Sequence, residues 1–273
     1  MLDFLQTLSD KQLFAFLSSL FVAISLLTVI MVQRFIPNKL RRSHNAVIGN
    51  VSSLIGLIYG VLAGLTALYL INNLSYTGDA VQKEANAVAN LYRDSTWLKE
   101  PVRTQVKNEL SSYVNKVITV EWPLMKDGAK ISEDAGTHIE NVSHELNSYN
   151  SFNNSEMLIL HDMLDEIKAL YNARETRIEM SYASLNSDLW AVILIGTLLM
   201  ISINFLFGMN FYFHMVTSIA AALMAASMIF LLLTLDKPFQ GDFVIEPDAL
   251  QQILNSMHHA PLPQAEVVKP VTP

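Results

Sequence analysis

Apolar residues are distributed unevenly along this chain. They gather in four stretches without Asp, Glu, Lys or Arg: residues 13–33, 46–71, 189–207 and 215–235. A bilayer hydrocarbon core of about 30 Å takes about 20 helical residues, so each stretch predicts a transmembrane helix, the second with some tilt. Residues 208–214 form a short loop between the last two spans. Its Phe211, Tyr212 and Phe213 suit the headgroup level, where aromatic rings concentrate. The last two spans are therefore a tight hairpin. Residues 1–12 hold Asp3, Asp10 and Lys11 rather than a basic segment, and no small-x-small site follows before Arg34. The first span is expected to be a retained anchor, not a cleaved signal.

The long interval 72–188 carries a helical period. Ala80, Ala87, Leu91 and Trp97 continue the second span after an interruption expected at Gly78. Glu100-Pro101 opens another helix, whose apolar stripe is Val102, Val106, Leu110, Tyr113, Val117 and Val120, and Pro123 and Gly128 are expected to stop it. A weaker helix is predicted over 132–147. A longer one begins at Asn154 or Ser155 and runs through Leu158, Met163 or Leu164, Ile167, Leu170, Ile178 and Tyr182 toward the third span. The Asn-rich stretch 147–155 is the tip between them, and 236–273 is a C-terminal segment ending in a Pro-rich tail. No strand period competes. The predicted fold class is all-α, with four transmembrane helices in two pairs and a helical extramembrane domain inserted between spans 2 and 3.

Composition agrees with a lipid-embedded chain. Of 273 residues, 51% are hydrophobic and 16% charged, too apolar for an ordinary soluble domain. The lipid bilayer is thus the first expected partner. A net charge of -7 without a basic face argues against nucleic acid. With no cysteine there is no disulfide, thiolate metal site or cysteine nucleophile. The loop 34–45 has Arg34, Lys39, Arg41 and Arg42 and no acid, which by the positive-inside rule makes it cytoplasmic. The termini and the helical domain are then expected on the opposite, non-cytoplasmic side.

Catalytic patterns are missing. No Gly-rich phosphate loop, nucleophile elbow or His-Glu-x-x-His is present, and no Asp, Glu, Lys or Arg sits at the middle of a span, so neither an enzyme nor a proton-coupled transporter is expected. No two of the histidines stand four apart, and no metal or cofactor is predicted. The second span is more informative. Gly49, Gly56, Gly60 and Gly64 recur at helical steps with Ser53, giving a small face on which another backbone can approach. Asn50, Ser53, Gly56, Tyr59, Gly60 and Gly64 are the candidates for lining or packing a pore. Tyr59, rotated by about 100° from Gly60, is expected to leave the small face and point toward a pore axis. Arg174 and Arg177 share a face without a carboxylate at helical spacing, and Glu84 and Arg93 likewise lack a partner. These four are expected to form an interhelical charge cluster, with an anion-collecting ring as the alternative.

Several segments together carry a resemblance: Gly49, Gly56 and Gly60 with Tyr59, "EANAVANLYR" from Glu84, "EWPLM" from Glu121, "RETR" from Arg174, Leu189-Trp190 and "DKPFQG" from Asp236. The chain resembles the bestrophin-like family of bacterial membrane proteins, a domain of unknown function, and is distantly similar to the bestrophin ion channels. That resemblance implies a homo-oligomeric, pentameric ion channel of a bacterial inner membrane, whose second span lines a pore for inorganic ions. It also implies a large domain and termini in the cytoplasm, opposite to what the basic loop predicts. The exit from the last span departs from the Pro-Phe-Gly type, because Gln240 separates Phe239 from Gly241, and the acid-rich calcium clasp is not recognisable. In the membrane-exit motif, Asp236 and Lys237 mark the polar boundary, Pro238 stops the helix, Phe239 anchors at the interface, and Gly241 turns the chain over a neighbouring subunit. Ion coordination by Asp242, Glu246 and Asp248 is the less favoured role. The alternative to a channel is a non-conducting membrane scaffold or sensor whose helical domain binds a protein partner.

Overall fold

A computed structural model describes residues 9–150, 153–241 and 244–259. The expectations for residues 1–8, for Asp242 and for the Pro-rich tail from residue 260 lie outside the described residues. The chain divides into two compact units, Met1–Thr77 with Glu179–Ile245, and Gly78–Ile178 with Glu246–Pro273.

The first unit holds α1 (Asp10–Phe35), α2 (Asn38–Arg42), the first part of α3 (Asn45–Asp94), α8 (Ser187–Asn204) and α9 (Phe211–Leu235). α1, α3, α8 and α9 are each long and apolar enough to cross a membrane. α1 starts where Ser9 N–H donates to Gln12 Oε1 (3.1 Å). Asp10 and Arg34 at its two ends complement the helix dipole. Its Ser25 and Val29 meet a line of mostly small residues on α9: Ser218, Ala222, Ala225, Ala226 and Ile229, all buried. Small side chains let the two backbones approach, and Ser25 Oγ donates across to Ser218 O (3.1 Å). Leu13, Leu17, Ala67, Leu70, Leu185, Ile193, Ala226, Ile229 and Leu232 form the apolar core.

The basic loop is partly inside this unit rather than wholly solvated. Arg41 is 5% exposed. It donates to the carbonyls of Phe205 (3.4 Å) and Phe207 (3.0 Å), just past the end of α8, and to Asn38 Oδ1 (2.8 Å). Burial pulls its pKa down from the usual value, while carbonyls at a helix C-terminus favour the cation. Gly208 makes the contact possible, since a Cβ there would collide with the backbone of Arg41 and Arg42. Asn45 seals the corner by exchanging two hydrogen bonds with Gly208 (2.8 and 3.1 Å). The three aromatic residues expected in the loop instead make the first turn of α9.

The second unit contains the rest of α3, a 3₁₀ turn (Ser95–Trp97), α4 (Val102–Lys116), a π-helical turn (Val117–Glu121), α5 (Trp122–Lys126), α6 (Asp134–Ser148), most of α7 (Asn154–Tyr182) and α10 (Asp248–His259). Gly78 does not interrupt α3. A helical glycine costs about 1 kcal/mol, less than is gained by continuing a helix whose Ala80, Val81, Ala85, Val88 and Leu91 are all buried. Nor does Pro123 stop the helix before it. Lacking an N–H and crowding the carbonyl four residues back, it would clash in a regular α-helix; the preceding turn widens to a π turn and the helix runs on to Lys126. Gly128, at φ 65°, ends it. Val106, Leu110, Val114, Met125, Ile139, Leu146 and Met163 fill the core. Part of the C-terminal segment is an amphipathic helix rather than irregular chain: α10 buries Leu250 and Met257, and Tyr92 Oη donates to Met257 O (3.3 Å).

Candidate functional site

The second unit contains a buried ion network assembled from four helical segments. Arg177 of α7 is fully buried and uses its planar fork twice. Nε and Nη2 donate to the two oxygens of Glu84 on α3 (2.6 and 3.0 Å). Nη2 also donates to Glu121 Oε2 (2.7 Å), and Arg174 Nη2 takes the other oxygen of Glu121 (2.6 Å). Tyr113 of α4 donates to Glu84 Oε1 (2.5 Å), and Trp122 lies beside the Arg177 guanidinium at 5.6 Å. Two guanidiniums face two carboxylates, so the buried charge balances. Burial alone would lower the Arg177 pKa, but the charge and hydrogen bonds of Glu84 outweigh it and hold it above its usual value. Burial, then the negative charge of Glu84, pushes the Tyr113 phenol well above 10.

Of the four residues expected to cluster, the structure brings together Glu84, Arg174 and Arg177. Arg93 stands apart, exposed and bonded to Asp94 Oδ1 (3.0 Å). It lies nine positions after Glu84. On one helix that is a rotation of about 180°, so the two cannot share a face. The members that helical spacing alone does not reveal are Glu121 and Tyr113. Glu121 is legible in another way, as the one charge in the run "VITVEWPLM".

The network predicts an alkaline signature. Above pH 10 the unfolded Tyr113 ionises while the folded one keeps its proton, so the folded state loses stability as pH rises, by at most about 1.4 kcal/mol per unit. Tyr113→Phe removes this term together with a hydrogen bond to a charge, worth about 1.5–3 kcal/mol. In denaturant titrations the wild type should exceed Tyr113→Phe by about that amount near pH 8, with the gap closing above pH 10. A gap constant from pH 8 to 11 would contradict the placement of the phenol.

On α3 the candidate residues divide between two faces. Tyr59 does not swing away toward open space. Its hydroxyl meets Thr197 Oγ1 (2.8 Å), and because Thr197 already donates to Ile193 O (2.8 Å), Tyr59 is the donor. Gly196 admits the ring, since a Cβ there would lie 2.6 Å from it. Gly56 also faces α8, with Met200 Sδ 3.5 Å from where its Cβ would be. Asn50, Ser53, Gly60 and Gly64 are exposed, and among the described residues nothing lies within 4 Å of a Cβ at Gly49, Gly60 or Gly64. Tyr59 and Gly56 thus both face α8 of their own chain, Gly56 as part of a face on which another helix packs.

The exit motif works inside the first unit. Asp236, just past α9, accepts from Leu185 N (2.5 Å) and Trp190 Nε1 (3.2 Å), clamping the two ends of the α8–α9 hairpin. Phe239 is 1% exposed, a core residue rather than an interfacial anchor. Gly241, at φ 97°, turns the chain beside Asp10 of its own α1, and Ile245 N closes the turn on Pro238 O (3.0 Å). Only a residue without a Cβ adopts that backbone at no steric cost. Lys237 is half-buried. In the second unit Glu246 pairs with Lys126 (3.0 Å), and Asp248 opens α10.

Four apolar helices, two on either side of a chain segment that builds a separate helical unit, define a multi-pass α-helical membrane protein. The model of the Bestrophin-like domain matches residues 19–250, and the chain belongs to the Bestrophin-like family. A crystal structure of a bacterial bestrophin homologue from Klebsiella pneumoniae carrying a Leu-to-Thr mutation superposes with a TM-score of 0.69 at 10% identity, covering 88% of this chain and 97% of the other. An Ile-to-Thr variant from the same organism gives 0.67 at 11%, covering 90% and 99%. A structure described as a membrane protein with a Ser-to-Ala mutation gives 0.64 at 11%, covering 90% and 95%. At such identity the likeness is one of fold. Among curated proteins no sequence matches significantly.

Proposed function

We propose that this chain is the subunit of a homo-oligomeric ion channel of a bacterial inner membrane, with α3 nearest the axis. The observation that carries the reading is the open face of α3. Asn50, Ser53, Gly60 and Gly64 face outward on a helix whose opposite side is filled by its own chain. The Asn50 amide turned toward hydrocarbon is disfavoured, Ser53 being satisfied by Gly49 O (2.9 Å), while the bare Gly60 and Gly64 let a second helix approach; another copy of the chain or a water column meets the amide. Lacking charge in its spanning part, such a pore conducts inorganic ions through a neutral lining and closes by dewetting. Likeness to bestrophins suggests five subunits. The buried guanidiniums have their carboxylates at hand, which supports a structural frame rather than an anion-collecting ring. For orientation, the exposed Arg34, Lys39 and Arg42 support a cytoplasmic α1–α3 loop.

Purified protein fused into planar bilayers should give discrete single-channel steps. Silent bilayers containing an intact oligomer would instead support a scaffold or sensor.

A further inference from the structure

The corner of the first unit where α1 gives way to α2, and α8 to α9, carries only positive charge. Arg34, Lys39, Arg41 and Arg42 lie there, and the chain has no acid between Asp10 and Asp79 or between Asp188 and Asp236. Among the described residues none of the four cations makes an ion pair. Arg41 is absorbed by carbonyls. Arg42 is not: its exposed guanidinium donates to Asn210 Oδ1 (2.8 Å) and, with five N–H groups in its fork, keeps further donors free.

Arg42 borders a shallow, open surface hollow of about 460 Å³, lined also by Asn45, Gly208, Met209, Asn210 and Phe213. The cavity lies at the start of α9, where Tyr212 is 81% and Phe213 69% exposed. Aromatic rings so placed mark headgroup depth. Asn210, its side-chain oxygen engaged by Arg42, does not cap the first-turn amides of α9, so the helix dipole adds positive potential to the same hollow.

We propose that this cavity binds the headgroup of an anionic phospholipid, its phosphate held by Arg42 and the Asn210 amide at the mouth of α9, its acyl chains running along Phe213. A forked guanidinium matches phosphate geometry. The absence of any carboxylate supplies the selectivity: a zwitterionic headgroup brings an ammonium for which this face has no partner, and the neighbouring cations repel it.

The test is native mass spectrometry of the purified full chain with phosphatidylglycerol or phosphatidylcholine of identical acyl chains. The phosphatidylglycerol should be retained about tenfold more tightly. Arg42→Gln should erase that preference, while Arg34→Gln, on the same face but outside the cavity, should keep it. Asn210→Asp sets a carboxylate against Arg42 and should erase it too, which decides the matter should Arg42→Gln fold poorly. Equal retention of the two lipids, an unchanged preference in both cavity variants, or an equal loss in Arg34→Gln would overturn the site. Displacement of the lipid by millimolar inorganic phosphate would assign the cavity to a free anion and overturn the lipid reading. Lipid retention is measured without current, so the outcome is independent of whether the protein conducts.

Discussion

Arg177→Ala should lower the stability of the second unit by about 3–5 kcal/mol, the usual result of leaving buried charges unpaired. The guanidinium is fully buried and bridges Glu84 and Glu121, so its removal turns two carboxylates toward each other with only Tyr113 and Arg174 to offset them. At about 4 °C per kcal/mol for a unit of this size, the melting temperature should fall by roughly 12–20 °C. Arg177→Lys should recover only part of the loss, since an ammonium is a point charge and cannot span the two oxygens of Glu84 while reaching Glu121. Combining Arg177→Met with Glu84→Gln should recover more, because Glu121 then keeps Arg174 as its cation and no carboxylate is stranded. A single Arg177→Ala variant melting like the wild type would show that the network contributes no stability.

The second large effect concerns assembly. Among the described residues of the chain nothing lies within 4 Å of a Cβ at Gly60, so Gly60→Leu should leave the monomer fold intact. Where this face meets another copy, the added volume overpacks an interface at about 1–3 kcal/mol, repeated once per subunit; five subunits would lose about 5–15 kcal/mol. Size-exclusion chromatography with light scattering should show dissociation, or, if residue 60 lines the pore itself, an intact oligomer with blocked current. Normal assembly with normal conductance would turn this face toward lipid and remove the main support for the channel. Gly56→Leu is a different perturbation, since it presses on Met200 of its own chain.

The spans are legible in the sequence because hydrocarbon excludes charge, a constraint written into every residue of a crossing helix. Breakers mislead for the opposite reason. Gly78 and Pro123 act locally, and the buried residues around them outweigh a local cost, as the widened turn at Val117–Glu121 illustrates. The ion network is half legible. Spacing along α7 shows that Arg174 and Arg177 need distant partners, yet Glu84 and Glu121 lie 93 and 56 residues from Arg177, beyond any helical period. Tyr59 escapes its expected place because a rotation angle says which residues differ in direction but not which side faces the chain; the space opposite Gly196 decides that. α10 is written in Leu250, Ile253, Leu254 and Met257, which stand at helical steps after Pro247.

Arg41 ends up beneath the carbonyls of Phe205 and Phe207, but Phe205 is made 164 residues later. At translation rates of about 5–20 residues per second, the ribosome takes roughly 8 to 30 seconds to cover that distance. Throughout that interval Arg41 is an unclaimed charge, available to whatever decides the sidedness of the first two spans. Once the final hairpin arrives, the same side chain becomes a latch, and reversing the first hairpin would mean pulling a cation off two carbonyls and Asn38. One residue thereby ties the first pair of spans to the last.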